Sequence, residues 1–490
     1  MQRFSDIGRA TTEGVTYWPL MVGGMTKPFG LLDVTMPFDG RLLARIETSG
    51  LEHVERGLDI AYGLFRDRRS WLPLDERIGV LERCVRIMAR MQDTLAVTTS
   101  REAGKPLRDS RVEVQHAIDE ARLCVVHLRS DAGHVLPTGA THETVHRFAL
   151  TRYEPAGVVV AVSTYSHPLN VVAQRIFAAV AAGCPVVVKP AEEAPLSSLQ
   201  IVAILRRAGL PAPWCQVVVA ADAETAERLV ADVRVGTLSY VGDATAGWRL
   251  RSSLNPKTRW AATYGGAAPV FVMEEACAAS AVDGIIRGAY YHAGQVSVSM
   301  HRIFVPDTFA RQFAAVLAAR AEVLAVGDPV AVTTEVGPLM RPSETSRVGA
   351  RVNEAVTCGA ELLTGGSAIG ESLYRPTVLF NPLGDTRLSR VEIPGPVIEV
   401  YAYDTLDAAI TTANDETSAV QAAVFTSDLN AALRVFRQLD ASAVTVNDQV
   451  MRDPGGMPFA GVGLGIGGDV RHAINTMRQS KMLAMNSQEL

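Results

Sequence analysis

The feature that most constrains this chain is an alternation of short buried strands with amphipathic helices between residues 157 and 241. Gly157 to Val162 is a nearly continuous β-branched run, which is typical of a strand covered on both faces. A helical stretch at 169–182 and an apolar strand at 185–188 follow it. The order repeats as a helix at 198–208, a strand at 216–219, a helix at 223–232 and a strand at 237–241. This predicts a parallel sheet with helices on both faces, an α/β fold of the nucleotide-binding type.

The segments on either side of this core have different periodicities. Apolar residues recur at helical spacing from Leu51 to about Ser130, which predicts amphipathic surface helices. The stretch from Asp131 to Tyr153 contains turn residues followed by alternating apolar and polar positions, and it predicts a projecting β hairpin. A second α/β segment is predicted from Pro269 to about Val424, with strands near 270–273 and 302–305 and helices near 276–289 and 309–324. The final segment from Ala443 is Gly-rich and then reads as helical.

Composition excludes several classes of function. A chain of 490 residues with 48% hydrophobic residues is long enough for two or three packed units. The 47 basic residues against 52 acidic ones give a net charge of -5 without long charge runs, so we expect no nucleic-acid partner. The six cysteines are scattered without metal-ligand spacing, which indicates reduced, buried thiols and no metal site.

No membrane or export segment is expected. Residues 1–26 contain only short apolar pieces between charged residues, unlike a signal peptide. No apolar stretch is long enough to span a bilayer. These observations favour a cytoplasmic protein without a membrane partner.

An ordered set of motifs along the chain points to one family. The motifs are Glu154-Pro155-Ala156-Gly157, His167-Pro168-Leu169-Asn170, Gly183-Cys184-Pro185, Lys189-Pro190-Ala191-Glu192, Gly265-Gly266, Gly294-Gln295-Val296, Gly395-Pro396-Val397 and Met457-Pro458-Phe459. In this order and spacing the chain resembles the aldehyde dehydrogenase superfamily, from about Glu102 to Met482. The His167-Pro168 pair is most similar to the branch that oxidises lactaldehyde and phosphonoacetaldehyde.

The resemblance implies an aldehyde dehydrogenase fold with a Rossmann-like nicotinamide-binding domain, an α/β catalytic domain and a small β oligomerisation element. We expect the first domain at 1–130 and 150–262, the catalytic domain at 263–442 and the oligomerisation element at 131–149 and 471–490. Residues 443–470 would form a return segment. Proteins of this family are dimers or tetramers, so self-association is expected.

Six positions are expected to bind the cofactor by this resemblance. Lys189 and Glu192 would hold the adenosine ribose and Glu392 the nicotinamide ribose, with Ser163, Gly242 and Gly265 completing the set. A carboxylate at Glu192 would repel a 2'-phosphate, so NAD is favoured over NADP.

Neighbouring cofactor positions differ from the family. The glycines near the adenine are replaced by Ala220 and Asp222, the serine at the diphosphate by Asp243, and the nicotinamide-stacking Phe by Pro394. An added carboxylate at Asp243 would disfavour a phosphate there. NAD binding is therefore expected to be weak or lost.

The catalytic positions depart further from the family. The resemblance places a nucleophilic Cys after Gly-Gln-x, an oxyanion-binding Asn before the His-Pro pair and a general-base Glu before Leu-Gly-Gly. This chain has Ser297, Ser166 and Thr263 there. A serine hydroxyl needs an adjacent base to become a nucleophile, whereas a thiol is partly ionised near neutrality. Ordinary aldehyde oxidation is therefore predicted to be very slow.

Several functional hypotheses remain open at this stage. The leading one is NAD(H)-linked chemistry on a small carbonyl or imine substrate without a cysteine thiohemiacetal. Ser297 would be a nucleophile activated by His292 or, as we favour, only a small residue filling the place of the lost sulfur. The alternatives are a catalytically silent scaffold and a non-redox acid-base or acyl-transfer enzyme.

Overall fold

The computed structural model describes residues 9–10, 15–264, 266, 268–382, 394–415, 419–448 and 470–487. The strands are β1 (Arg9–Ala10), β2 (Thr16–Trp18), β3 (Gly30–Thr35), β4 (Leu42–Thr48), β5 (Val135–Leu136), β6 (Arg147–Pro155), β7 (Val158–Val162), β8 (Val186–Lys189), β9 (Cys215–Val217), β10 (Val235–Gly242), β11 (Arg259–Tyr264), β12 (Pro269–Val272), β13 (Arg302–Pro306), β14 (Glu361–Thr364), β15 (Ala368–Ile369), β16 (Leu373–Tyr374), β17 (Thr377–Phe380), β18 (Val397–Tyr403), β19 (Ala419–Phe425), β20 (Ala441–Val446) and β21 (Arg478–Asn486).

The α-helices of the described residues are α1 (Leu51–Arg66), α2 (Leu74–Arg90), α3 (Gln92–Ala103), α4 (Leu107–Ser130), α5 (Asn170–Ala182), α6 (Leu196–Arg207), α7 (Ala223–Ala231), α8 (Ala244–Ser253), α9 (Glu275–Tyr290), α10 (Asp307–Glu322), α11 (Pro342–Thr357), α12 (Leu406–Asn414), α13 (Leu429–Gln438) and α14 (Val470–Thr476). A short 3-10 helix, Tyr291–Gly294, follows α9.

The predicted parallel sheet is confirmed. Five parallel strands lie in the order β11-β10-β7-β8-β9. Successive residues of β7 face opposite cores: Val159 packs with α5 and α6, whereas Val158 packs with α1 and α7. This alternation places helices on both faces of the sheet, as the period of two in a strand requires.

The second α/β unit is built on a seven-stranded sheet in the order β14-β17-β18-β13-β12-β19-β20. All its pairings are parallel except that of β14 with β17. One face carries a stack of Phe271, Phe304 and Tyr401, with successive ring centroids 5.1 and 5.2 Å apart. The predicted strands and helices at 270–273, 276–289, 302–305 and 309–324 are confirmed within a few residues.

A separate three-stranded antiparallel sheet, in the order β21-β6-β5, contains the predicted hairpin. Its third strand comes from the end of the chain, where β21 pairs with β6 from Arg478 opposite Pro155 to Asn486 opposite Arg147. The prediction of a helical C-terminal tail holds only for α14 and is wrong for residues 478–486. Pairing with a strand more than 300 residues away decides this conformation, and local periodicity carries no such information.

Two further expectations need correction. The segment 51–130 is not composed of surface helices alone, because one face of α4 is buried against α5 and carries the buried side chains of Glu113 and Glu120. Four of the six cysteines are buried, but Cys277 is half-buried and Cys358 is exposed. Within the described ranges, no helix is both long and apolar enough to cross a membrane.

A buried ion pair lies at the amino terminus of α5. Glu113 and Lys105 form this pair, and neither side chain is exposed to solvent. The other carboxylate oxygen of Glu113 accepts hydrogen bonds from the amides of Leu169 and Asn170, both at 2.9 Å. These amides belong to the α5 amino terminus, where helical N–H groups lack intrahelical partners. A residue of α4 therefore fixes the start of α5 and the loop before it.

A second buried glutamate caps the amino terminus of α6 in the same way. The Glu102 carboxyl accepts hydrogen bonds from the amides of Leu196 at 2.6 Å and Ser197 at 2.7 Å, and from the Ser197 hydroxyl. Burial raises the pKa of Glu102 from an ordinary value of 4.5 to about 8, and these hydrogen bonds oppose the rise. The carboxyl is therefore protonated in the folded protein at neutral pH.

This raised pKa predicts pH-dependent stability. Between pH 4.5 and about 8 the folded state binds a proton at Glu102 that the unfolded state lacks. The free energy of unfolding should therefore fall as pH rises through this window, by up to about 1.4 kcal/mol per pH unit. Glu102→Gln, which keeps a carbonyl acceptor, should flatten this dependence in urea unfolding measured from pH 5 to 8. An unchanged slope in the variant would contradict the prediction.

Candidate active site

A cleft of about 340 Å³ opens at the carboxyl ends of β7, β8 and β10, beside α7 and α8. This edge of a parallel sheet is where such folds bind nucleotides. Four positions that were expected to bind a cofactor line the cleft, namely Ser163, Lys189, Glu192 and Gly242. The other two, Gly265 and Glu392, lie outside the described residues.

The floor of the cleft presents one donor and one acceptor side by side. Lys189 ends β8 with its side chain mostly buried, and its Nζ lies 3.3 Å from Oε1 of the half-exposed Glu192. The backbone amide of Ser163 donates to the carbonyl of Lys189 at 3.0 Å, which ties the loop after β7 to this strand. An ammonium next to a carboxylate suits a pair of adjacent hydroxyls, as in a ribose.

The amino terminus of α8 is capped by a side chain of the protein itself. The Asp243 carboxylate caps this helix by accepting from the amide of Ala246 at 2.8 Å, and the Tyr240 hydroxyl donates to the Asp243 carbonyl. Free amides at a helix start attract phosphates. A carboxylate already bound there weakens that attraction and adds a negative charge.

An ion pair connects the two helices that border the cleft. Arg249 of α8 lies 3.3 Å from Glu227 of α7, and both residues line the cleft. Both side chains are well exposed, so the pair adds little stability and separates easily. It narrows the cleft without closing it.

Ser297 follows a strained turn between α9 and β13. His292 and Ala293 have φ angles of 47° and 53°, and Gly294 has 71°. A Cβ on Gly294 would lie 2.1 Å from the Gly395 carbonyl oxygen, so only glycine fits there. Such backbone persists only where surrounding contacts hold it, and it is common at functional sites.

Gln295 supplies two of the contacts that hold this turn in place. Its Nε2 donates to the Pro338 carbonyl at 3.1 Å and its Oε1 accepts from the Met340 amide at 2.9 Å. Ser297 itself is half-buried, whereas the His292 side chain is fully buried. That burial weighs against His292 as a base that a dissolved substrate could reach.

Ser166 and Thr263 both belong to the five-stranded sheet and its loops. Ser166 lies in the turn before α5, with its hydroxyl 3.4 Å from that of Thr164. Thr263 lies near the end of β11, and its hydroxyl accepts from Nη2 of Arg175 at 3.4 Å. Sequence reasoning missed Arg175, although its place one turn into α5 marks it as close to that helix's start.

Tyr291 connects the two units at this point. Its ring stacks on His167 with centroids 5.9 Å apart, and Nζ of Lys105 lies 5.4 Å from the ring centroid. The loop that carries Ser166 therefore meets the turn that precedes Ser297. His167 and Tyr291 pack against each other between these two segments.

The chain matches the aldehyde dehydrogenase family over residues 26–483. It belongs to the aldehyde dehydrogenase family. An aldehyde-dehydrogenase-like protein of Sinorhizobium fredii is 32% identical over 94% of this chain and 90% of its own. Lactaldehyde dehydrogenase of Methanocaldococcus jannaschii is 28% identical over 93% of this chain and 97% of its own. The family and fold inferred from the motifs are confirmed.

A solved structure supports the same placement of the aldehyde dehydrogenase fold. Glyceraldehyde-3-phosphate dehydrogenase of Methanocaldococcus jannaschii, complexed with NADP, superposes with a TM-score of 0.88 at 27% identity, covering 93% of this chain and 99% of that one. That neighbour binds a nicotinamide dinucleotide. In the part of this chain that the structure describes, no cluster of three metal-ligating side chains occurs.

Proposed function

We propose that this aldehyde dehydrogenase family protein binds NAD or NADH in the cleft at β7, β8 and β10 and acts on a small carbonyl or imine compound without a cysteine thiohemiacetal. The observation that carries the proposal is the cleft itself, whose lining brings Ser163, Lys189, Glu192 and Gly242 together. Retention of a ribose-binding donor and acceptor, beside a changed reaction centre, supports a changed reaction rather than a lost ligand.

The residues present fit the adenosine half of a dinucleotide. Lys189 would donate to one ribose hydroxyl and Glu192 would accept from another, and the cleft volume of about 340 Å³ accommodates a nucleoside. When bound, the dinucleotide would supply or accept the hydride. The fit is poorer at the α8 start, where Asp243 faces the place of a diphosphate.

Charge favours NAD over NADP. Glu192, Glu193 and Glu227 line the cleft, and each is paired with a cation, namely Lys189, Arg341 and Arg249 respectively. Asp243, next to the lining residue Gly242, adds a further negative charge. A 2'-phosphate would stand beside Glu192 and compete with these carboxylates for their cations, so it would lose binding energy relative to a free hydroxyl.

The reaction centre supports hydrogen bonding to a substrate carbonyl more than covalent catalysis. Ser297 would contribute a hydroxyl and Ser166 a second one, each able to hydrogen-bond a substrate oxygen. Neither Thr263 nor the Arg175 guanidinium that donates to it can accept a proton near neutrality, so an attacking water would lack a base. Ser297 therefore acts as a binding group in this proposal.

The decisive experiment is a calorimetric titration with NAD, NADH and NADP on the wild type and on Asp243→Ser. Serine keeps an N-cap acceptor but removes the charge, so we expect NAD to bind about three- to tenfold more tightly to the variant. Asp428→Ser is the matched control, because Asp428 caps α13 through the Asn430 amide at 2.8 Å and lies in the other α/β unit, away from the cleft lining. Its NAD affinity should equal that of the wild type.

The same titration can reject the proposal. If neither the wild type nor Asp243→Ser binds NAD or NADH, hydride chemistry is removed. Equal affinity for NADP and NAD would contradict the charge argument. A gain in the Asp428→Ser control as large as in Asp243→Ser would show a general electrostatic effect rather than one at the α8 start.

A second candidate function is a catalytically silent scaffold or a non-redox enzyme. The observation that favours it is the Asp243 cap, which occupies the anion-binding end of α8. A scaffold predicts no nicotinamide binding and no loss of its partner on Ser297→Ala. A non-redox acid-base or acyl-transfer enzyme predicts turnover of a carbonyl substrate in the absence of any nicotinamide.

We also propose that the chain self-associates as a dimer or tetramer. The β21 strand carries the exposed side chains of Met482, Leu483 and Met485, and α13 carries an exposed apolar stripe of Leu429, Leu433 and Phe436. The outer strand of each sheet is a template for further pairing. Light scattering of the purified protein measures the oligomer, and a monomer at micromolar concentration would contradict this expectation.

A further inference from the structure

A second cavity of about 300 Å³ lies where α2, the ends of α4 and α5, and strands β6 and β21 meet. Its lining shares no residue with the cofactor cleft. Trp71, Leu72, Leu128 and Tyr153 contribute apolar surface to its wall. The cavity is large enough for a small organic molecule.

The charges around this cavity do not balance. Glu154, whose side chain is almost fully buried, pairs with three cations at once: Arg68 at 3.1 Å, Arg152 at 2.8 Å and Lys481 at 3.4 Å. One carboxylate thus faces three positive side chains. The neighbourhood of Glu154 therefore carries a net positive charge even before Arg77 and Arg478 are counted.

Arg478 and Arg77 add to this positive charge. Arg478 is only 8% exposed, pairs with Asp131 and lies 3.7 Å from the ring centroid of Tyr153. Around the cavity, five cationic side chains (Arg68, Arg77, Arg152, Arg478 and Lys481) therefore face two carboxylates (Asp131 and Glu154).

Arg77 is the least compensated of the five. Its Nη1 donates to the Ala181 carbonyl at the end of α5, where helix carbonyls favour a cation. Among the described residues it has no carboxylate partner, and its Nε makes no hydrogen bond. Burial lowers the pKa of Arg77, and the positive charge of Arg478 adds to this effect. Of the five N–H donors of a guanidinium, Arg77 uses one on Nη1 for Ala181 and buries the one on Nε, so the two on Nη2 and the second on Nη1 are those left for a ligand.

We propose that this cavity binds a small organic oxyanion, a carboxylate or a phosphate monoester with a compact apolar body. Arg77 and Arg152 hold the oxyanion, and the nearby positive charge of Arg478 adds to the electrostatic attraction. Guanidinium groups match the geometry of both anions. The apolar body packs against Trp71, Leu72 and Leu128. This site is independent of the nicotinamide cleft.

Phenyl phosphate, benzoate, inorganic phosphate and phenol are the probes for a calorimetric titration of the full-length protein. We expect binding of phenyl phosphate or benzoate, weaker binding of inorganic phosphate and none of phenol, because both charge and apolar body contribute. Comparison of phenyl phosphate with benzoate distinguishes a phosphate site from a carboxylate site. Arg77→Met should lower the affinity at least tenfold.

Arg83→Met is the matched control. Arg83 lies on the same helix α2, donates to the Ala208 carbonyl at the end of α6, and does not line the cavity. Arg83→Met therefore removes the same kind of hydrogen bond to a helix-end carbonyl as Arg77→Met does, but it leaves the cavity lining unchanged. Lys189→Met is the second control, because anions bound in the nicotinamide cleft would depend on Lys189. Both controls should keep wild-type affinity for the bound probe.

Arg152→Met tests the site if Arg77→Met fails to fold, since the Arg152 side chain is 67% exposed. It should lower probe affinity about threefold or more. The proposal is overturned if the wild type binds neither phenyl phosphate nor benzoate. It is also overturned if Arg83→Met or Lys189→Met loses the probe as strongly as the cavity variants do.

Discussion

When mixed with NAD and an aldehyde, Ser297→Cys should reduce at most about one equivalent of NAD to NADH per subunit and should not turn over. A thiol at 297 is partly ionised near neutrality and can attack the aldehyde, so a single hydride transfer is allowed. Hydrolysis of the resulting thioester then needs a base for water, and Thr263 cannot serve as one. Stopped-flow absorbance at the NADH band separates this burst from steady turnover.

A second substitution, Thr263→Glu, should convert this single burst of NADH formation into steady turnover. In Ser297→Cys/Thr263→Glu a carboxylate stands at the base position, and steady turnover should exceed that of Ser297→Cys by about a hundredfold, within the usual range for general-base catalysis. The gain is limited because Nη2 of Arg175 lies 3.4 Å from the Thr263 hydroxyl, so a carboxylate there would be paired and less basic. Ser297→Cys/Thr263→Gln fills the same volume without a base and is the matched control.

Two results would contradict this account of the reaction centre. Brisk turnover by Ser297→Cys alone would mean that a base other than residue 263 is in place. Equal turnover by the Gln and Glu variants would mean that residue 263 acts through its size rather than its charge. The experiment requires NAD binding, so it is best done after the titration of Asp243→Ser.

Lys105→Met should destabilise the protein by about 3–5 kcal/mol or prevent its folding. The Lys105–Glu113 pair is fully buried, and removal of one partner leaves an uncompensated carboxylate in the interior. Glu113 also holds the α5 start, so the loss spreads to the loop that carries Ser166. Urea unfolding followed by tryptophan fluorescence measures the change.

A double variant separates charge from packing in this prediction. Glu113→Gln keeps an oxygen acceptor for the Leu169 and Asn170 amides but removes the charge, so Lys105→Met/Glu113→Gln should be more stable than Lys105→Met alone. Arg129→Met, which breaks the exposed pair with Glu82, should cost less than about 1 kcal/mol. A cost for Lys105→Met as small as that of Arg129→Met would show that the buried charge is compensated by other groups.

The motifs predicted the family because each motif contains residues that a particular local backbone conformation or strand end requires. Gly294, for example, accepts a φ of 71° beside the Gly395 carbonyl, and Lys189 ends a strand at the cleft edge. These demands are read from a few consecutive residues. The roles of Ser297, Ser166 and Thr263 stay predictions, because placement of a side chain does not establish its chemistry.

The sequence by itself determined the strand and helix alternation of residues 157–241, because burial on both faces of a parallel sheet requires unbroken apolar strands. It also determined the family. Tertiary structure alone decided that residues 478–486 pair with β6, that Glu102 and Glu113 cap helices far along the chain, and that Tyr291 contacts both His167 and Lys105. The arginine-lined cavity arises likewise from five distant segments. Each of these features depends on contacts between residues far apart in sequence, and periodicity reports only which face of an element is buried.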